Sequence, residues 1–166
     1  MPVASEPIVV NTSPLLALSA CGQIELLRAL HSRVVVPEAV IAELERGQAG
    51  VDPLALDMER PAWLEVVALR QSPSPLLEAY LDEGEASVIT LALELGITRV
   101  VIDERRGRAV ARTMGLEATG SVGVLLRAKR EGLLAAVKPS LEAMQAQGIW
   151  LSARLRTFAL QEAGEA

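Results

Sequence analysis

The stretch Ile8-Val9-Val10-Asn11-Thr12-Ser13-Pro14 decides the fold. Its three β-branched residues predict a short buried strand. Ser13 then fits the N-cap of a helix whose first residue is Pro14, because the fixed φ and missing N–H of proline cost nothing there. An open α/β sheet begins with such a strand and helix, and it binds ligands at the carboxyl ends of its strands. Asn11 lies at that edge.

The alternation of strand and helix continues along the chain. Apolar runs predict strands, and helical patterns that end at glycine separate them. We expect strands at residues 33–36, 63–69, 98–102 and 116–118, and helices at 15–20, 23–30, 38–46, 82–95, 105–114 and 122–130, from Pro139 and from about Ser152. Residues 48–60 are rich in Gly, Pro and Asp and are predicted to form a loop. The fold class predicted is a three-layer α/β sandwich around a mostly parallel sheet, in one domain over residues 1–166.

Composition limits the classes of function. The chain has 166 residues, a net charge of −5, 51% hydrophobic residues and a single cysteine. No apolar run approaches the length of a membrane span and no signal peptide is evident, so we expect no membrane partner. One cysteine excludes an internal disulfide and favours a cytoplasmic location. The acidic balance argues against a basic nucleic-acid coat protein but suits a site that needs a cation.

Several common active sites are absent from the sequence. It contains no phosphate-binding loop, no dinucleotide fingerprint, no serine-nucleophile elbow and no His/Cys cluster for zinc. The only histidine, His31, is expected to be structural because no partner side chain accompanies it.

Three carboxylates remain as candidates, and each has an ordinary alternative. Asp103 follows a buried strand at its ligand-binding end, although Asp is also common in turns. Glu85 heads the apolar stripe of its helix, although Asp82 and Glu85 also fit a capping box. Glu43 borders an apolar helix face, although a Glu in this position is more often exposed to solvent. Converging carboxylates would suit Mg²⁺, which prefers oxygen ligands and would activate a water for phosphodiester hydrolysis.

At these residues the chain resembles the PIN-domain family, metal-dependent nucleases that include the toxins of VapBC-type toxin–antitoxin pairs. More narrowly, it is similar to a subgroup described as predicted nucleic-acid-binding proteins. The matching segments follow the family order, and together they are specific although each is weak alone: residues 8–15, 36–44, 81–86, 101–108 and 119–125.

The resemblance implies a five-stranded parallel sheet in the order 3-2-1-4-5, which would put Asn11 beside Asp103 at the switch point. It also implies that Glu43, Glu85 and Asp103 match three of the family's four acidic positions, while the first, usually Asp, is Asn11 here. These four residues are then the expected catalytic and metal-binding set, with Mg²⁺ or Mn²⁺ as cofactor, of an endoribonuclease that acts as a toxin.

A basic rim supports a polyanionic partner, single-stranded RNA, although solvated helix faces would give the same pattern. Contacts to nucleic acid are expected from Ser13, Arg105, Arg106, Arg108, Thr119 and Ser121. An antitoxin protein and a homodimer are expected from the resemblance.

Asn11 leaves the activity open. An amide offers an oxygen but no charge, so we expect weaker metal binding and slower hydrolysis than with Asp. The alternative is a catalytically inactive PIN-like module that binds RNA or a protein partner. A receiver-type phosphoacceptor domain ranks lower, because the acidic pair and the late lysine that it needs are not in place.

Overall fold

The fold is built on a parallel sheet of short strands, of which the three central ones are almost entirely buried and the two edge strands are partly exposed. The structure, a computed structural model, describes residues 5–46 and 60–166. In these residues the strands are β1 Ile8–Val10, β2 Val34–Pro37, β3 Leu64–Val67, β4 Arg99–Val101 and β5 Glu117–Thr119. The loop predicted at residues 48–60 lies outside the described residues except for its last position.

The strand order is β3-β2-β1-β4-β5, and every pair is parallel. This confirms the expected order. The central strand β1 lies in register with both neighbours, since Ile8 pairs with Val34 on one side and with Arg99 on the other. The chain therefore changes direction across the sheet at β1 and β4, which places the ends of these two strands at the switch point.

Helices cover the sheet and exclude water from it. They are α1 Thr12–Ala20, α2 Glu25–Leu30, α3 Glu38–Arg46, α4 Pro75–Tyr80, α5 Glu83–Leu95, α6 Arg105–Thr113, α7 Ser121–Arg130, α8 Lys138–Ala146 and α9 Ala153–Glu162. Helix α5 packs against β1, β2 and β4, whereas α7 packs against α1, α2 and α9. The core between these layers is aliphatic, with Leu15, Leu27, Ile89 and Leu125 among its fully buried side chains.

The predicted helix signals hold at α5. The side chain of Asp82 accepts a hydrogen bond from the Glu85 N–H at 2.8 Å, and Gly96 ends the helix with a left-handed φ of 67°. Such a φ is free of steric cost only for glycine. The side chain of Ser152 likewise caps α9 by accepting from the Leu155 N–H at 3.0 Å.

The prediction that Ser13 is the N-cap of the first helix is wrong. Helix α1 begins at Thr12, and Asn11 is its N-cap, with an extended backbone and no capping bond from its side chain. The earlier start is possible because Pro14 then falls within the first four helical positions, whose N–H groups have no intrahelical partner in any case. Asn11 is therefore both the end of the strand and the start of the helix.

None of the helices described is long and apolar enough to cross a membrane.

Candidate functional site

Asn11 lies where β1 and β4 end side by side. Its backbone N–H donates to the Val101 carbonyl at 3.0 Å, which continues the ladder between the two strands by one residue. Asn11 is 5% exposed, and its Oδ1 atom is buried without a hydrogen-bond partner. An unsatisfied buried acceptor costs about 1–3 kcal/mol, so this oxygen is poised to accept from a donor or to bind a cation.

Asn11 and Glu43 converge on Gly84, the second residue of α5. A Cβ atom at Gly84 would lie 2.5 Å from Glu43 Oε1 and 3.0 Å from Asn11 Oδ1. Glycine at this position therefore leaves room for both side-chain oxygens, which come from α3 and from the end of β1. The structure brings these two sequence-predicted residues together.

Glu85 follows directly and is 5% exposed. Burial, reinforced by hydrogen bonding to Asp82 and by the negative charges of Asp82 and Glu104, raises the pKa of Glu85 to about 8. Its Oε2 atom occupies the space where a Cβ of Gly107 on α6 would stand. Glu85 is therefore a buried carboxyl that holds its proton at neutral pH and is wedged between α5 and α6.

Asp103 is held by the start of α7. Its Oδ1 accepts from the Ser121 N–H at 2.6 Å, and its Oδ2 accepts from the Ser121 hydroxyl at 3.1 Å. Burial raises the pKa of Asp103, while the two Ser121 bonds and the nearby Arg108 charge oppose that rise. A Cβ at Gly120 would lie only 2.8 Å from Oδ1, so glycine also makes this contact possible.

Arg108 fastens the turn between β4 and α6. Its Nη1 atom donates to the carbonyl oxygens of Ile102 at 3.2 Å and Asp103 at 2.5 Å. Burial lowers the pKa of the guanidinium. The Nη1 atom of Arg108 therefore already donates hydrogen bonds to the backbone beside Asp103.

The oxygen atoms of these side chains are suitable ligands for a hard cation, but the four side chains are not arranged as a complete set of metal ligands. Carboxylate and amide oxygens are ligands that Mg²⁺ and Mn²⁺ accept, and the unsatisfied Asn11 Oδ1 beside Glu43 provides a start for coordination. Within residues 5–46 and 60–166, no group of three or more His, Cys, Asp or Glu side chains is arranged to hold a metal. In the structure Asn11 therefore lies beside Glu43, whereas Glu85 interacts with Asp82 and Asp103 with Ser121.

A groove of about 910 Å³ opens beside Asp103. We call it the carboxyl-edge groove, and it is lined by Asp103, Arg105, Arg108, Arg112, Trp150 and Phe158 among others. Five of the six residues expected to contact nucleic acid also line it, namely Ser13, Arg105, Arg108, Thr119 and Ser121. The sixth, Arg106, is exposed and does not line it.

The sequence analysis missed Trp150 and Phe158 as groove residues. Trp150 is 83% exposed and Phe158 52% exposed. The chain has only two Trp, one Tyr and one Phe, so two of its four aromatic side chains stand largely in solvent in one groove. Their scarcity in an aliphatic chain is the signal that could have drawn attention to them.

His31 belongs to the opposite edge of the sheet. It borders a separate cavity of about 260 Å³, together with Ile8 and Arg99, the first residues of β1 and β4. Burial, followed by the positive charge of Arg127, lowers the pKa of His31 to about 4, so the ring is neutral at physiological pH. A proton-transfer role at the acidic edge is thereby excluded for the chain's only histidine.

The fold is a doubly wound parallel sheet with acidic and amide side chains at its switch point, and the candidate ligand site of such an α/β domain lies at the ends of β1 and β4. The family model that matches this chain is that of DUF3368, described as a PIN domain, and it covers residues 7–165. The chain belongs to this PIN-domain family, which is of the nuclease type. No curated protein is similar enough to the chain to count as a match.

Proposed function

We propose that this protein is a divalent-metal-dependent endoribonuclease in which Asn11, Glu43, Glu85 and Asp103 hold Mg²⁺ or Mn²⁺. The observation that carries the proposal is the buried Asn11 Oδ1, which has no partner and shares the space beside Gly84 with Glu43 Oε1. Membership of a nuclease-type family supports the same reading.

A bound divalent cation supplies charge to the scissile phosphodiester and lowers the pKa of an attacking water. The protein's own residues would position the ligands and balance the negative charge of the phosphate chain. Ser121 fixes Asp103, Glu85 would have to lose its proton to serve as a ligand, and the exposed Arg105 would attract the phosphate chain.

The test is cleavage of a labelled single-stranded RNA with Mn²⁺, with Mg²⁺ and with EDTA. We expect metal-dependent cleavage that Asp103→Asn and Glu85→Gln each reduce by at least about 10- to 100-fold. Glu83→Gln is the matched control, because Glu83 lies on the same helix but is exposed. Equal cleavage by Glu85→Gln and Glu83→Gln would reject this assignment of the site.

A second function is favoured by the neutral Asn11 and by the open arrangement of the acids. In it the protein is an inactive module that binds RNA or a protein partner through the same edge. Calorimetry distinguishes the two proposals, because the module should show no Mn²⁺ binding above background, whereas the enzyme should show binding that Asp103→Ala abolishes.

The proposal extends to the setting of the enzyme. We propose that it is the toxin of a toxin–antitoxin pair, that it acts in the cytoplasm as a single-domain homodimer, and that an antitoxin protein restrains it. The resemblance to toxin nucleases and the single cysteine support this setting. Sedimentation of the purified protein tests the dimer, and growth arrest on expression tests the toxic activity.

A further inference from the structure

The carboxyl-edge groove combines two kinds of wall. One carries the guanidinium groups of Arg105, Arg108 and Arg112, which outnumber the carboxyl groups of Asp103 and Glu104 beside them. The other carries Trp150 and Phe158, from the segment before α9 and from α9 itself. Cationic and aromatic side chains thus face the same space, immediately beside the acidic edge.

The aromatic wall is unusual for a surface. Trp150 is 83% exposed, although an indole gains more from burial than almost any other side chain. Leu155 and Phe158 add partly exposed apolar surface in the same groove. Exposed apolar side chains that share one groove with polar residues are typical of a binding site.

The charges on the facing wall indicate what binds. Arg112 Nη2 donates to the Ala118 carbonyl at 3.1 Å, which holds it on the rim, and Arg105 is exposed and makes no ion pair or hydrogen bond with the described residues. An apolar peptide would gain nothing from these cations. Single-stranded nucleic acid carries phosphates for the arginines and flat bases for the aromatic rings, so it complements both walls.

We propose that Trp150, with Phe158, is a base-stacking platform that holds unpaired bases of single-stranded RNA while the arginines hold its backbone. This rests on the proposed function in that it names how the substrate of the same site is held. Bases in a duplex are already stacked on each other, so the platform selects single strands over duplexes. Trp150 is a positioning residue, since it is set to bind a base and not the scissile bond.

The test compares two oligomers in EDTA, where cleavage does not occur. One is an oligoribonucleotide of about eight residues, and the other is an abasic oligomer of the same length and charge. In a Trp63→Phe background Trp150 is the only tryptophan, so quenching of its fluorescence reports base contact directly. Because Trp150 is so exposed, Trp150→Ala is expected to fold normally.

We expect Trp150→Ala to weaken binding of the base-containing oligomer on the order of tenfold and to leave the abasic oligomer unaffected. Trp150→Phe should restore most of the loss. Tyr80→Ala is the matched control, because Tyr80 is an exposed aromatic residue on α4 that does not line the groove.

Equal effects of Trp150→Ala on both oligomers, or no effect on either, would overturn the platform. Sedimentation that shows Trp150→Ala turning a dimer into a monomer would also overturn it, since the surface would then bind a second copy. Base-dependent binding without cleavage in Mn²⁺ would refute the proposed nuclease activity but support the base-stacking platform. Cleavage without base-dependent binding would support the nuclease activity but refute the platform.

Discussion

Replacing Asn11 by Asp tests the site most directly, because it introduces the charge that the resemblance to PIN nucleases implies at this position. Asn11 is 5% exposed and its Oδ1 has no partner, so a carboxylate there would be buried without a donor. The Glu43 Oε1 atom shares the same space beside Gly84. In the absence of metal, Asn11→Asp should therefore destabilise the protein.

The magnitude follows from two terms. Burial of an unsatisfied charged acceptor costs on the order of 1–3 kcal/mol or more. Two neighbouring carboxylates repel by a few kcal/mol at an effective dielectric constant of about 20. Partial protonation of the new Asp relieves some of this repulsion, so we expect a net loss of about 2–4 kcal/mol in the free energy of unfolding.

A divalent cation should reverse the loss. Binding to the folded state adds about 2.7 kcal/mol of stability when the free ion is at about one hundred times its Kd. Asn11→Asp should therefore regain most of its stability in Mn²⁺, and the wild-type protein should gain less because its site carries one charge fewer.

Urea unfolding in EDTA and in excess Mn²⁺, at a pH above neutral, measures both effects. Gln147→Glu, at the exposed C-cap of α8, adds the same charge and should lower stability by no more than about 1 kcal/mol, equally in both buffers. If Asn11→Asp unfolds at the wild-type urea concentration in EDTA and Mn²⁺ stabilises both proteins equally, Asn11 takes no part in a cation site.

Three further changes probe the surroundings. Gly107→Ala should destabilise by about 1–3 kcal/mol in urea unfolding, instead of giving the gain of about 1 kcal/mol usual in a helix, because the new Cβ would collide with the Glu85 carboxyl. The pKa of His31 is lowered from 6.5 to about 4, so its contribution to stability is complete above pH 6.5 and falls as the pH drops toward 4. Across this range the free energy of unfolding of the wild-type protein should fall by about 3 kcal/mol more than that of His31→Gln, measured by urea unfolding. Ser121→Ala removes the 3.1 Å bond to Asp103 Oδ2 and keeps the backbone bond, so NMR titration should show a further rise in the pKa of Asp103.

The sheet could be predicted because local patterns and resemblance agreed. The apolar runs at residues 8–10 and 34–36 form buried strands for the reason that their composition suggested, and the strand order implied by the family is the one observed. Asp82 and Gly96 fix the ends of α5 through contacts within a few residues. The cap of α1 could not be assigned from the sequence, because Asn11 and Ser13 are both good caps and only the end of β1 decides between them.

Candidate residues for the site could be chosen from the sequence, but their contacts in the fold could not. Asp103 and Ser121 are 18 residues apart, and only the pairing of β4 with β5 brings the start of α7 to the carboxylate. The exposure of Trp150 depends on where the chain runs after α8, which composition does not encode. Long-range packing decides both, so neither appears in local patterns.

The arrangement lowers the negative charge of an edge that is rich in acids. Four ionised carboxylates there would repel one another strongly, because little water reaches this region to weaken the repulsion. This chain disperses that charge in three ways: the first position is the neutral Asn11, Glu85 has a pKa of about 8 and keeps its proton at neutral pH, and Asp103 is bound through both oxygens by Ser121. Of these residues only Glu85 must change in order to act as a ligand, because it must lose its proton, whereas each Asp103 oxygen keeps a second lone pair beside its bond to Ser121. Cation binding should therefore release a proton and tighten as the pH rises toward 8, which isothermal calorimetry in buffers of different ionisation enthalpy measures directly.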